Sequence, residues 1–151
     1  MAIRERRKVY SFGTLPEGAA QLIGHGIGVS GGALTGRVVF SLEEINQWRK
    51  KEPGTALIMV RSDTVPDDIR EIYEADGLLT ARGGSTSHAA IVAHRLDKTC
   101  VVGCPTLICS EKERSCAFDQ FTLHSGDWIS IDGLEGSVYL GQLKIDELEE
   151  D

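Results

Sequence analysis

Three short, uninterrupted apolar runs constrain this chain most: Thr55 to Val60, Gly77-Leu78-Leu79-Thr80 and Thr99-Cys100-Val101-Val102. Each has strand length and shows no alternation, so each reads as a strand buried on both faces. The segments between them carry helix signals. Ser41-Leu42-Glu43-Glu44 is a capping box, with Ser41 as N-cap and Glu44 three residues on, and its helix runs to about Lys51 before Pro53-Gly54 stops it. Thr64 to Asp67 reads as a second helix entry, with Pro66 in the first turn and Ile69, Ile72 and Tyr73 as the apolar positions. Residues 86–96 form the third helix. Arg37-Val38-Val39-Phe40 reads as a further strand, and Trp128-Ile129-Ser130-Ile131 and Ser137-Val138-Tyr139-Leu140 as two more joined through Asp132-Gly133 and Gly136. Strands alternate with helices in the middle and the ends are β-rich, which predicts an α/β domain with a mixed sheet and flanking helices rather than a Rossmann fold.

The segment from Gly24 to Gly36 is crowded with glycine, and Gly26-Ile27-Gly28-Val29-Ser30-Gly31 matches G-x-G-x-x-G letter for letter. Dinucleotide binding by that motif needs a helix immediately after it, with its N-terminus facing the pyrophosphate. The next segment here, Ala33 to Phe40, ends instead in the β-branched strand at Val38 and Val39, and no acidic residue stands where the ribose contact belongs. Close packing and sharp turning of the backbone between strands is the reading that remains.

A length of 151 residues fits one ordinary domain. No apolar run approaches the ~18 residues of a membrane span. The charged segment Met1 to Tyr10 lacks the apolar stretch of a secretory signal, so a cytoplasmic location is expected. The formal net charge of −7 argues against nucleic acid as a partner. The basic residues Arg4, Arg6, Arg7 and Lys8 cluster in a solvated leader or linker, residues 1–23. The domain proper spans residues 24–142, and residues 143–151 are an acidic tail. Cys100, Cys104, Cys109 and Cys116 show no C-x-x-C spacing, so no metal site is expected, and the thiols read as reduced and partly buried.

The chemistry lies in residues 80–96. The stretch reads as a strand, a glycine turn (Gly83, Gly84), three hydroxyl residues (Ser85, Thr86, Ser87) and a helix bearing His88 in its first turn. Ala89, Val92, Ala93 and Leu96 form one apolar stripe, with His88 at its edge. A helix start offers unpaired N–H groups and about half a unit of positive charge. Gly83 and Gly84 let the backbone approach an anion closely, while Ser85, Thr86 and Ser87 supply hydroxyl donors, one of them as the cap. Nucleophile and anion cradle therefore come from the same turn, and histidine is among the side chains that carry covalent intermediates.

Arg82-Gly83-Gly84-Ser85-Thr86-Ser87-His88-Ala89-Ala90 resembles the phosphohistidine motif of the phosphoenolpyruvate-utilising enzymes. The resemblance extends to Ser30–Gly36, Arg61–Ile69, Ala75–Thr80 and Gly126–Gly133, and covers about Gly24 to Gly141. The Thr86-Ser87-His88 triplet is closer to the pyruvate phosphate dikinases than to the synthases. The resemblance implies a swivelling β/β/α phosphohistidine domain in which His88 carries the phosphoryl group. Arg82, Gly83, Gly84, Ser85, Thr86 and Ser87 would cradle it, and Thr86 would be the threonine that regulatory kinases modify in some relatives. It implies no cofactor on this domain. ATP and Mg2+ would sit on an ATP-grasp nucleotide-binding domain, and a barrel would bind phosphoenolpyruvate or pyruvate; both lie outside this chain. A synthase, an enzyme I-like transferase with another acceptor, or a non-catalytic module keeping the fold are the alternatives. Three positions depart from the family pattern: Ser85 replaces methionine, His94 replaces arginine and Asp97 replaces glycine.

Overall fold

A computed structural model describes residues 7–12, 21–63, 69–84, 86–110, 112–143 and 145–150; for residues 7–9, 11, 69 and 146–150 it describes the backbone alone. The strands are β1 (Arg7–Ser11), β2 (Gln21–His25), β3 (Ile27–Ser30), β4 (Ala33–Val39), β5 (Leu57–Arg61), β6 (Gly77–Thr80), β7 (Thr99–Val102), β8 (Leu107–Ser110), β9 (Ser115–Phe118), β10 (Phe121–His124), β11 (Trp128–Asp132), β12 (Ser137–Leu140) and β13 (Asp146–Glu150). The helices are α1 (Leu42–Lys51), α2 (Ile69–Glu74) and α3 (His88–Arg95).

The three apolar runs become β5, β6 and β7, which lie parallel beside β4 in an eight-stranded mixed sheet of order β2-β12-β11-β4-β5-β6-β7-β3. Alternate side chains of these strands serve different cores, as strand geometry requires. Leu57, Met59, Leu78 and Cys100 pack with Ile45, Ile72, Ala89 and Ala93 of the helices. Ile58, Val60, Leu79 and Val101 pack with Leu107, Cys116, Phe118 and Leu123 of the three-stranded sheet β10-β9-β8. The layers are small sheet, large sheet and helices: a β/β/α domain. Each fully buried Leu, Ile, Val or Met contributes about 1.5–3 kcal/mol, which is why runs this short hold their place.

The two outermost strands of the large sheet, β2 and β3, are separated in sequence by Gly26 alone. The sheet must therefore curl enough to bring the end of β2 and the start of β3 together at Gly26. Gly26 donates to Gly136 O at 2.8 Å, and a Cβ there would lie 2.6 Å from both Val102 O and Cys104 Sγ, so only glycine fits the seam. The G-x-G-x-x-G stretch thus spans a strand-to-strand junction, with β4 and not a helix following it.

α1 forms as its cap predicts. Ser41 Oγ accepts from Glu44 N at 3.2 Å, while Glu44 Oε1 accepts from Phe40 N at 3.1 Å and Oε2 from the Ser125 hydroxyl. Arg37 clamps the other end of that helix. It lies between the Trp48 and Trp128 rings, 4.4 and 4.5 Å from their centroids, and pairs with both oxygens of Glu52 at 2.7 and 2.9 Å.

Some expectations differ from the structure. The strand β2 begins at Gln21, inside the segment assigned to the leader. Arg7–Ser11 and Asp146–Glu150, read as leader and tail, pair antiparallel as β1 and β13, with Arg7 opposite Glu150. Tyr73, counted as an apolar face of α2, is 61% exposed with Lys98 above its ring. The expected helix entry at Thr64 and Pro66 lies outside the described residues.

Candidate functional site

The parallel strands β5 and β6 end at the same edge, with Arg61 opposite Thr80. Ala81 N donates to Arg61 O at 3.2 Å and Arg82 N to Ser62 O at 2.9 Å, carrying the pairing past the strand ends. The chain then turns at Gly83, whose φ of +106° lies in the region that glycine alone occupies without cost. Ser87 N donates to Gly84 O at 3.0 Å, closing the turn, and Ser87 adopts the extended conformation of an N-cap. Its Oγ accepts from Ala90 N at 3.3 Å, so of the three hydroxyl residues Ser87 is the cap. His88 is the first residue of α3, at the carboxyl end of the parallel strands, where ligands of open α/β sheets bind.

His88 is half-buried. Its Nδ1 is buried and meets no hydrogen-bond partner among the described residues. The first-turn N–H groups of His88 and Ala89 have no partner within a helix and point out of its start. Gly83, Gly84, Ser87 and His88 are thus gathered on one turn. Arg82 and Thr86 are exposed beside it, and Ser85 lies outside the described residues.

A second loop supports the first, and sequence reasoning missed it. Gly103 (φ +65°) follows β7, and a Cβ on it would lie 2.6 Å from Gly83 O. Next to it, Cys104 N donates to Thr80 O at 3.1 Å. The signal available was a glycine directly after a buried strand, which marks a sharp turn.

The three departures from the family pattern sit apart from one another. Ser85 is the undescribed position in the turn. His94 is exposed at the far end of α3, lining with Gly28, Val29, Ala90, Ile91 and Arg95 a groove of about 340 Å³. Asp97 has φ +56° and terminates the helix. Lys98 N donates to Ala93 O at 2.9 Å and Asp97 N to His94 O at 3.2 Å, the two bonds of a Schellman motif, in which the Asp97 position favours glycine.

Burial pushes the thiols of Cys100, Cys104 and Cys116 up to about 12. Among the described residues no three His, Cys, Asp or Glu side chains are grouped to hold a metal ion. No described helix is long and apolar enough to cross a membrane.

A family model described as "PEP-utilising enzyme, mobile domain" matches residues 54–136. The chain is 40% identical over 122 residues to pyruvate, phosphate dikinase 1 of Arabidopsis thaliana, covering 81% of this chain and 12% of that protein. It is 38% identical over 129 residues to pyruvate, phosphate dikinase of Clostridium symbiosum, covering 85% of this chain and 14% of that protein. The chain therefore spans about an eighth of the length of these relatives. A solution structure of Enzyme I (nEIt) matches 56% of this chain and 30% of its own at 29% identity and a TM-score of 0.40.

Proposed function

The chain belongs to the mobile-domain family of the PEP-utilising enzymes, and on that footing we propose that it is a phosphoryl carrier of a dikinase-like enzyme, with His88 as the carrier residue. The observation that carries the reading is the place of His88: a half-buried ring, its Nδ1 shut in, at the start of a helix above a glycine turn.

Nε2 attacks the phosphorus of phosphoenolpyruvate, the bond from phosphorus to the enol oxygen breaks, and the enolate leaves to become pyruvate. The unpaired N–H groups of the first helical turn and the Ser87–Gly84 turn receive the phosphoryl oxygens, and the helix dipole favours the added negative charge. Arg82, exposed at the mouth of the turn, is suited to meet the incoming phosphate. In the opposite half-reaction the group passes between His88 and a nucleotide. The ATP, its Mg2+ and the phosphoenolpyruvate belong to an ATP-grasp domain and a barrel outside this chain, since catalysis of phosphoryl transfer needs metal and cationic clamps. Thr86, exposed two residues before His88, is accessible to a regulatory kinase. Reduced thiols suit a reducing compartment such as the cytoplasm.

The test is to incubate the chain with phosphoenolpyruvate and the barrel domain of a dikinase and to weigh it intact. The expected result is a gain of one phosphoryl group, labile to acid and stable to base, absent in His88→Ala. Acid-labile phosphate on folded His88→Ala would overturn the assignment.

A further inference from the structure

The thiols of the small sheet are arranged for a reaction that the phosphoryl-carrier reading does not use. Cys109 of β8 and Cys116 of β9 are direct cross-strand partners. The hydrogen-bonding phase of that pair is set by the neighbouring ladder. Ser125 N donates to Arg114 O at 3.2 Å, continuing the β9–β10 register one place beyond Ser115 opposite His124. Hydrogen-bonded and non-hydrogen-bonded pairs alternate along an antiparallel ladder. Counting by two from Arg114, Cys116 directs its N–H and C=O toward β10 and away from β8. Cys109 and Cys116 are therefore a non-hydrogen-bonded pair, in which Cα atoms stand about 4.5 Å apart and the side chains are closest. That separation lies within the range of about 4.4–6.8 Å found across disulfides. Both side chains also share one face: Cys116 is in the core between the sheets and Cys109 packs against the same cluster.

We propose that Cys109 and Cys116 are a redox-active pair that closes to a cross-strand disulfide when the protein meets a small-molecule disulfide such as oxidised glutathione. Cys109 reacts first, because it is partly exposed whereas Cys116 is buried. Its thiolate attacks one sulfur of the oxidant, the oxidant's S–S bond breaks, and one small thiol leaves with a proton. The Cys116 thiolate then attacks the Cys109 sulfur, breaking the mixed disulfide and releasing the second small thiol with the second proton. Two electrons pass from the cysteine pair to the oxidant. The pushed-up thiol of Cys116 makes the second step the slower one. Adjacency in the ladder compensates by holding the two sulfurs together.

The experiment uses the native full chain, treated with oxidised glutathione, quenched in acid and alkylated. The expected result is two fewer alkyl groups on the intact chain than on an untreated sample, a difference abolished when dithiothreitol precedes alkylation. Trypsin, cutting after Lys98, Lys112, Arg114 and Lys144, places Cys109 in residues 99–112 and Cys116 in residues 115–144. The two peptides are expected to remain linked in wild type and in Cys104→Ser, and to separate in Cys109→Ser and Cys116→Ser. Fragmentation of the linked wild-type peptides identifies the bridge even where a serine variant fails to fold. A link confined to residues 99–112, a link that survives Cys109→Ser, a glutathione adduct on Cys109 that never resolves, or four thiols still reduced would each overturn the proposal.

Discussion

The α-carbon of Gly103 lies against the carbonyl oxygen of Gly83, so close that a methyl group on it would come within 2.6 Å of that oxygen. The loop after one buried strand thereby fixes the height of the loop that carries His88. Gly103→Ala is expected to cost about 1–3 kcal/mol, from the positive φ and from overpacking. It should also slow phosphorylation of His88 more than the lost stability explains. Urea unfolding and a time course of acid-labile phosphate uptake measure the two effects separately.

Ser87 caps the helix that begins with His88. Ser87→Ala should lower stability by about 1 kcal/mol. Ser87→Asp keeps a capping oxygen and should restore that stability, but it places a carboxylate beside the phosphoryl position and should phosphorylate more slowly than Ser87→Ala. Equal rates for the two variants would contradict the electrostatic account of the turn.

At Asp97 the chain adopts a left-handed conformation at the end of α3. Asp97→Gly is expected to raise stability by about 0.5–1 kcal/mol, since glycine meets no steric penalty there and aspartate a reduced one. A higher urea midpoint with an unchanged slope is the expected reading.

Burial of Glu44 between α1 and the turn at Ser125 raises its carboxyl above the ordinary 4.5, although the Phe40 N–H bond and the Arg114 charge pull the other way. A raised folded value means that the native state holds the proton more tightly than the unfolded chain. The stabilisation is full below pH 4.5 and is lost as pH climbs through the raised value. Wild type measured against Glu44→Gln should therefore lose relative stability across that window and level off above it. Urea midpoints over the same window test the sign. Glu52, lowered chiefly by its hydrogen bond from Arg37, slopes the opposite way but is common to both proteins.

Thr86 makes a graded test of regulation. A phosphate there would carry about −1.5 to −2 charges, close to the incoming phosphoryl group. Thr86→Glu should slow phosphorylation of His88, whereas Thr86→Val should leave it near normal with the fold intact in both. Normal transfer by the domain fully phosphorylated at Thr86 would remove the idea.

The sequence made some of this legible for local reasons. β5, β6 and β7 stand out because both faces are buried and nearly every position is apolar. The caps at Ser41 and Ser87 are readable because their side chains reach only their own first turn. The small sheet was not legible. Its inward positions include Cys109 and Cys116, its outward ones include Ala117, and Ile108 is 74% exposed, so alternation hardly registers as apolar against polar. Tyr73 misled for a related reason, because a large apolar ring can lie on the surface under a lysine chain. Placing β2 and β3 at opposite ends of one sheet depends on partners far along the chain, which no local pattern records.

The central strand β4 imposes an order on synthesis. One of its sides is satisfied early by β5, but the other pairs Ala33 with Asp132. At ribosomal speeds of about 5–20 residues per second, that second partner emerges on the order of 10 s after β5. Throughout that interval the nascent chain presents a hydrophobic strand with an unfilled hydrogen-bonding edge, the surface on which chains aggregate. Slowing translation between Arg61 and Trp128 would lengthen the exposure without altering the finished protein, so synonymous codon choice there is expected to govern yield and chaperone dependence.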